Sequence, residues 1–462
     1  MSLTYCPECL KKQQRINELE EENRSLKARL RYQERTASEG PFGSSTPSSK
    51  VPIKPSALPE RQARRGGARP GHPGHGRRRV ASTQADRVVD MPPPTRCPTC
   101  GGTLTAQGVR ERTVLDCQPV RVLRVVYRLG RGRCAHCGAA VQARPPGVLP
   151  KCQYGNGLLA HVAVQHYLYG ATLGQVEKQT GIGYGSLLDA LHQLARRLKD
   201  VPPRLLEGYR RAPVKHADET TWRNDGGNGY AWLFATEDLS LFRFRPTRSA
   251  TVAREVLGTK RLAGVLVVDR YAGYNRAPCK IQYCYAHLLR DVQDLQKDFP
   301  DQPEVAAFVE ALAPLLASAM ALRGQGLSPG QFHRQAAMLT RRIRAVVHRP
   351  ARHPAVQGLQ DVFRRHADRM YHWARDPTIP ADNNLAEREL RPLVVARKIS
   401  FGSQSDRGAA TRGTLMTVLH TLRKRTPDPA AAFKAFLDHL ADHPHADPYR
   451  ILFPTPPPNA QD

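Results

Sequence analysis

Three acidic residues of this sequence are spaced for shared work on metal ions. Asp218 lies in or at the end of the first of three predicted strands, within Lys215-His-Ala-Asp-Glu-Thr-Thr221. Asp269 closes a continuous apolar run, in Val267-Val-Asp-Arg-Tyr271. Glu387 falls on a helical stretch, in Asp382-Asn-Asn-Leu-Ala-Glu-Arg-Glu-Leu-Arg391. A pair of Mg2+ ions about 4 Å apart needs carboxylates that bridge and flank them, and a third acid is commonly drawn from a helix. One aspartate at a strand end is ordinarily a turn or cap residue. Three in this order, in a chain with 70 Lys+Arg against 41 Asp+Glu, point to chemistry.

Neighbouring acids can be sorted by geometry. Asp218 and Glu219 alternate across a strand, so only one faces the site. Glu387 and Glu389, two apart on a helix, point roughly 200° apart. Asn383, Glu387 and Arg391 recur at i, i+4 and i+8, a polar stripe expected to face metal, water and phosphate, with Glu389 solvated or ion-paired on the far side. Pro392 removes a backbone donor beyond that stripe.

Sulfur supplies the second chemistry. Six of the ten cysteines fall in C-x-x-C pairs, and two pairs, Cys97/Cys100 and Cys134/Cys137, are each followed by glycine and lie 33 residues apart. The residues between, 112–117 and 120–129, are rich in Val, Leu and Arg and predict a β-hairpin. Four thiolates at a hairpin base form a closed, structural Zn2+ site, a zinc ribbon. A third pair, Cys6 and Cys9, precedes a heptad seam of Ile16, Leu19, Asn23, Leu26 and Leu30. That seam predicts a parallel coiled coil, in which two such pairs would offer four more thiolates.

Between the seam and the ribbon nothing can bury a core. Ser and Pro crowd residues 40–59, and Arg61 to Arg79 carries seven Arg and no acid, which predicts a disordered basic arm suited to phosphates. After the ribbon, helices over 173–179 and 186–198, broken at Thr180-Gly-Ile-Gly183, outline a helix-turn-helix with Ser186 as a possible cap and Arg196 and Arg197 near its end. Strands over 214–222, 230–236 and 239–244 suggest a meander. A helix over 250–257 and a buried strand over 264–268 follow, the opening of an RNase H-like fold. Residues 287–373 read as a helical insertion, and helices over 382–398, 408–425 and 430–439 complete the chain.

The formal charge of +29 and pI near 10.2 imply a polyanionic partner, most simply nucleic acid. Hydrophobic content of 40% suffices for real cores. No run approaches the ~18 uninterrupted apolar residues of a membrane span, and Met1 to Leu10 lacks the apolar region of a signal peptide. The sequence thus argues against secretion or membrane insertion and for a reducing, cytoplasmic compartment.

The acidic segments also carry a resemblance. Asp382-Asn-Asn-Leu-Ala-Glu-Arg-Glu-Leu-Arg-Pro392, continuing to Arg397-Lys-Ile-Ser-Phe-Gly-Ser403, resembles the C-terminal signature of insertion-sequence-66 family transposases. His216-Ala-Asp-Glu-Thr220, Val268-Asp-Arg-Tyr-Ala-Gly-Tyr274 and Cys284-Tyr-Ala-His-Leu-Leu-Arg290 resemble its other motifs. The resemblance covers nearly the whole chain. It implies Asp218, Asp269 and Glu387 as a DDE triad using Mg2+ (or Mn2+), with the second and third acids 118 positions apart. His287 would contact the scissile phosphate. Cys284 is either half of a C-x-x-H metal site or a small buried residue. Arg290, Arg388 and Arg391 either bind DNA phosphates or decorate helices.

The expected fold class is therefore multidomain α+β. Residues 1–36 would form a leucine-zipper coiled coil, 37–90 a basic disordered linker, 91–145 the zinc ribbon and 150–202 the helix-turn-helix-like region. Residues 212–287 and 381–426 would form the two parts of an RNase H-like DDE core, 288–380 its helical insertion, and 427–462 a C-terminal helix and tail. The implied partners are the terminal inverted repeats and target DNA, a second copy of the chain in a homodimer or higher oligomer, and accessory proteins of the same element. The implied setting is the bacterial cytoplasm, at the nucleoid. The rival reading is a catalytically silent, transposase-derived DNA-binding protein or repressor, from which the intact triad separates this chain.

Overall fold

The computed structural model describes residues 139–454 without a break, together with 15, 19, 22, 23, 82–84, 88, 89, 99–102, 122–133 and 135–137. The chain divides into two units, residues 1–119 and 120–462. In the first, Arg15, Leu19, Glu22 and Asn23 are helical and Cys100 is exposed and free of disulfide. Ile16, Leu26, Leu30, Cys6, Cys9 and Cys97 lie outside the described residues, as does the basic arm apart from Ser82–Gln84 and 88–89.

The second unit opens with a two-stranded antiparallel ribbon, β1 (Arg131–Arg133) and β2 (Ala140–Gln142). It flanks the second C-x-x-C pair, and residues 135–137 between the two strands form a turn. The hairpin expected over 112–129 is not seen in its described part. Residues 122–130 carry no strand, and Leu123, Val125, Val126 and Tyr127 are exposed. Their expected partner, 112–117, and Cys134 lie outside the described residues.

Four helices follow: α1 (Asn156–Tyr167), α2 (Leu173–Thr180), α3 (Tyr184–Arg197) and α4 (Val201–Arg211). Thr172 and Gln175 close a reciprocal capping box on α2. Ser186 does not cap α3. The Glu177 carboxylate accepts from Tyr184 N–H at 3.0 Å instead, joining the two helices of the hairpin. The leucines of α1 and α3 share the hydrophobic core with the sheet that comes next.

That sheet has five strands in the order β5–β4–β3–β6–β7. β3 (Val214–Asn224), β4 (Gly227–Ala235) and β5 (Ser240–Arg245) form an antiparallel meander, while β6 (Val265–Val268) and β7 (Lys280–Tyr283) run parallel to β3. Ala231 to Ala235 and Leu266 to Val268 are fully buried, so the centre of the sheet is covered on both faces. Register is set at the strand starts. Gly264 has φ of +80°, and a Cβ there would lie 2.1 Å from the Pro213 carbonyl oxygen, to which Val265 N–H donates. The buried Lys215 ammonium donates to the carbonyls of Ala212 and Ala263, fastening the same two strand entries.

α5 (Ala250–Leu257) links β5 to β6. After β7 comes the helical insertion, α6 (Tyr285–Asp298), α7 (Pro303–Leu322), α8 (Pro329–Val347), α9 (Pro354–Arg365) and α10 (His372–Arg375). The segment 303–325, containing α7, is long and apolar enough to cross a membrane by length and composition. Its buried face, Val305, Leu312, Leu316 and Leu322, packs into the insertion's core, as a core helix does.

α11 (Asn384–Ser400) runs through Pro392 without a break and packs on β3 and β4; α12 (Asp406–Arg425) packs on β5. An edge strand exposes unpaired N–H groups, and α12 satisfies two of them with one face. Thr421 Oγ1 accepts from Ser240 N–H at 3.1 Å and Thr417 Oγ1 from Phe242 N–H at 3.0 Å. α13 (Pro429–Asp442) and α14 (Pro448–Leu452) close the described chain.

Candidate active site

The site is assembled by strand register. The parallel pairing of β3 and β6 aligns His216 with Val267. Asp218 lies two residues further along β3, and Asp269 follows directly on the last residue of β6, so the register brings both acids to the same end of the strand pair. Burial, then the charge of Glu219, push the Asp218 carboxyl up to about 8, with Asp269 and Glu387 adding to the shift. The three expected acids therefore share one electrostatic neighbourhood. Asp269 is half-buried, and its Oδ1 accepts from Tyr271 N–H at 2.9 Å, which turns the chain immediately after the strand.

One buried residue brings the remaining groups to these aspartates. Asn383, directly before α11, is fully buried. Its Nδ2 donates to the Ala217 carbonyl at 2.9 Å, its Oδ1 accepts from His216 Nδ1 at 2.9 Å, and its backbone N–H donates to Cys284 Sγ at 3.1 Å. Tyr285 N–H donates to the Ala381 carbonyl at 2.8 Å beside it. The starts of α6 and α11 are thus both strapped to β3, next to Asp218. His287 enters from the first turn of α6 and Glu387 from the first turn of α11, with Nδ1 and Oε1 3.7 Å apart. Both atoms are buried and neither has a hydrogen-bond partner within the chain.

This corrects the expected polar stripe. Asn383 does not face the acids; it holds the backbone beneath them, and Arg391 stands exposed. The sequence marks Asn383 as polar beside a helix start, but its partners lie up to 167 positions away, so only the tertiary structure reveals its role.

Cys284, His287 and Glu387 offer ligand atoms within 4.8 Å of one another, the one such group of three among the described residues. Burial pushes the Cys284 thiol up to about 11, and its sulfur already accepts from Asn383 N–H. A thiol so disposed is a structural acceptor. His287 and Glu387 keep free acceptor atoms.

The neighbouring acids are held elsewhere. Glu219 is buried, accepting from Arg248 Nε at 2.8 Å and from the Tyr274 hydroxyl at 2.5 Å. Sequence reasoning missed both partners. Glu389 accepts from Arg423 at 2.7 Å and Ser240 Oγ at 3.0 Å, with His420 Nδ1 at 3.5 Å. Burial opposes its ionisation, but His420, Lys424 and Arg423 prevail and hold the carboxyl at about 2.

Arg290 and Arg388 lie beside these first turns, both with exposed side chains. Of the four expected zinc ligands, Cys100 and Cys137 are exposed and free of disulfide, while Cys97 and Cys134 lie outside the described residues.

Residues 94–138 match the zinc-finger binding domain of transposase IS66, which places a zinc-finger domain over both cysteine knuckles. The uncharacterized protein y4jD of Sinorhizobium fredii is 25% identical over 394 residues, covering 76% of each chain. The uncharacterized protein y4qI of the same organism is 24% identical over 409 residues, 80% of this chain and 75% of its own. Residues 151–411, more than half the chain and including all three acids and His287, match the model of the transposase IS66 family, and the protein belongs to that family.

Proposed function

We propose that this chain is a DDE transposase that binds the terminal inverted repeats of an insertion sequence, cuts at their ends and joins the freed 3′-hydroxyls to target DNA. The carrying observation is the parallel pairing of β3 and β6, which brings Asp218 in β3 and Asp269 just past β6 together, with Glu387 and its unpartnered oxygen close enough for its charge to act on Asp218. The sheet order, an antiparallel meander whose first strand pairs in parallel with the fourth, supports reading the core as RNase H-like.

The donor set fits divalent cations. It offers hard oxygen ligands that repel one another, one of them a buried acceptor with nothing to accept from, which suits Mg2+ or Mn2+. Bound there by Asp218, Asp269 and Glu387, the ions would supply charge neutralisation at the attacking and leaving oxygens of the phosphodiester. The chain's own residues do the rest. Asn383 fixes the two helix starts, so His287 and Glu387 need no reorganisation when DNA arrives. The His287 ring, 3.7 Å from Glu387, is placed to hydrogen-bond a phosphate oxygen of the scissile group. Exposed Arg290, Arg388 and Arg391 provide positive charge for the flanking backbone.

Zn2+ would be held by Cys97, Cys100, Cys134 and Cys137, the second pair presented by the β1–β2 ribbon. The ribbon and the α2–α3 hairpin would hold the inverted repeat, with the N-terminal heptads pairing two subunits. Metal analysis of the purified protein should find zinc that Cys134→Ser removes, with weaker binding to end DNA; unchanged zinc would reject that ligand set.

The catalytic reading is tested with Asp218→Asn and Asp269→Asn on labelled inverted-repeat duplexes. Each should abolish Mg2+-dependent cleavage and strand transfer while end binding persists. A wild-type chain that binds the ends but never cleaves them, with Mg2+ or with Mn2+, would instead indicate a silent DNA-binding derivative.

A further inference from the structure

The end of α11 carries a feature that metal chemistry does not use. Phe401 caps the helix with φ of +60° and ψ of −2°, the left-handed region, and is one of three non-glycine residues with positive φ among the described residues. Glycine, or sometimes asparagine, ordinarily takes this position because a Cβ is disfavoured there. A bulky aromatic held in that conformation and left 61% exposed gains little burial in return. Strain retained without burial directs attention to function.

The surroundings hold Phe401 rigidly. Arg397, one turn earlier, is bound to Thr220 Oγ1 at 3.0 Å and to the Thr221 carbonyl at 2.9 Å, fixing the helix end on β3. Gly402 follows with φ of +132°, and a Cβ there would lie 2.1 Å from the Arg223 carbonyl oxygen. Ser403 then clamps the β3–β4 turn: its N–H donates to the Arg223 carbonyl, its carbonyl accepts from Asp225 N–H, and its hydroxyl accepts from the Trp222 indole. The ring stands on a platform pinned on both sides.

The platform is also suited to nucleic acid. Val395 and Ile399, each 50% exposed, lie one turn apart and form an apolar ridge along the last turns of α11, just before Phe401. Exposed Arg388, Arg391 and Lys398 are interspersed along the same helix, and exposed Arg407 follows it. This surface continues directly from Glu387. Phe401 lies fourteen positions beyond Glu387, about 20 Å at 1.5 Å per residue. Along a duplex that distance is about six base pairs.

We infer that Phe401 is a stacking wedge for an unpaired base of the element's end DNA, engaged some six base pairs from the scissile phosphate if the duplex tracks α11. Apolar side chains inserted at base steps, and aromatic rings that receive extruded bases, are established ways of holding distorted DNA. Preorganisation of the ring, by Arg397 on one side and Gly402 on the other, lowers the ordering cost of such a contact.

The inference rests on the transposase reading, so its test is made independent of catalysis. Full-length protein carrying Asp218→Asn is mixed with inverted-repeat duplexes bearing the fluorescent adenine analogue 2-aminopurine at successive positions. One position, or two adjacent ones, should brighten on binding, and Phe401→Ala in the same background should remove the signal while the duplex is still bound. In the active protein, Phe401→Ala should slow end cleavage by about ten- to a hundredfold. A mismatch or abasic site placed at the brightening position should restore most of that rate, and Phe401→Trp should retain it. Binding without brightening at any position, or a Phe401→Ala defect that pre-broken pairs do not relieve, would overturn the wedge and leave the transposase reading standing. Unchanged fluorescence with altered sedimentation of Phe401→Ala would overturn it in favour of a second copy covering this face. Failure to bind end DNA at all would instead strike the proposed function.

Discussion

Glu387 and Glu389 stand two residues apart on one helix and show what two sides of the same element can be made to do. Glu387 faces Asp218 and Asp269 with a buried, unpartnered oxygen. Glu389 faces α12 and β5, where Arg423 and Ser240 donate to it and His420 lies within 3.5 Å. The first cluster buries its carboxyls and concentrates like charge, and burial first, then the neighbouring acids, push the Asp218 carboxyl up to about 8. The second balances its charge, and Glu389 titrates at about 2. A carboxylate whose neighbours already satisfy it stabilises the fold. One whose neighbours repel it is costly to the fold and is available to a cation.

The largest expected disturbance of this contrast comes from the strap that both clusters' helix depends on. Asn383→Leu removes the bonds to Ala217 and His216 and should slow cleavage by about a hundredfold, because misplacing catalytic groups by about 1 Å is that costly. It should also lower the melting temperature, since the Ala217 carbonyl and His216 ring would be left buried and unpaired. A variant with unchanged cleavage would show that the helix starts are positioned by packing alone.

A smaller effect, confined to stability, is expected on the other side. Glu389→Gln should destabilise the protein by about 1–3 kcal/mol at neutral pH, the usual range for a charge-assisted hydrogen bond lost from a partly buried site. Its pH dependence follows from the sign of the shift. Glu389 is depressed from its ordinary 4.5 to about 2, so its stabilisation is complete above the unfolded value and is lost as pH falls through the folded one. The difference in melting temperature between wild type and Glu389→Gln should therefore shrink as pH is lowered from about 4.5 toward 2. A constant difference would mean that the side chain acts through shape alone.

The smallest effect belongs to Ser240→Ala, which removes one neutral donor to Glu389 and should cost about 1 kcal/mol or less in chemical denaturation, with cleavage unaffected. A drop in cleavage comparable to that of Asn383→Leu would show that the two clusters are coupled through α11.

Much of this arrangement is legible in the sequence, for identifiable reasons. The all-apolar run ending in Asp269 marks a buried parallel strand, the short runs from Val214 to Phe244 mark the meander, and a separation of two on a helix puts Glu387 and Glu389 on different faces. β7 escaped notice because Lys280-Ile-Gln-Tyr283 is too short to show a period and its polar Gln282 is fully buried. Gln282 holds the insertion to the sheet, donating to the Met370 carbonyl and accepting from His372 and Trp373 N–H, across some ninety positions of sequence. Asn383 was misassigned for the same reason. Local spacing gives the direction of a side chain relative to its own element, but a buried amide's partners come from the packing of distant ones. The apolar residues at 122–130 carry a strand-like pattern without an observed strand, and their expected partner, 112–117, lies outside the described residues.

The most direct measurement compares the two glutamates in one assay: Mg2+-dependent cleavage of a labelled inverted-repeat duplex by Glu387→Gln and Glu389→Gln, with the melting temperature of each. Glu387→Gln should lose cleavage by at least about a thousandfold while keeping or raising the melting temperature, because it removes a repelled charge needed only by the site. Glu389→Gln should cleave at a substantial rate with a lowered melting temperature. Robust cleavage by Glu387→Gln together with a dead but fully stable Glu389→Gln would contradict the account.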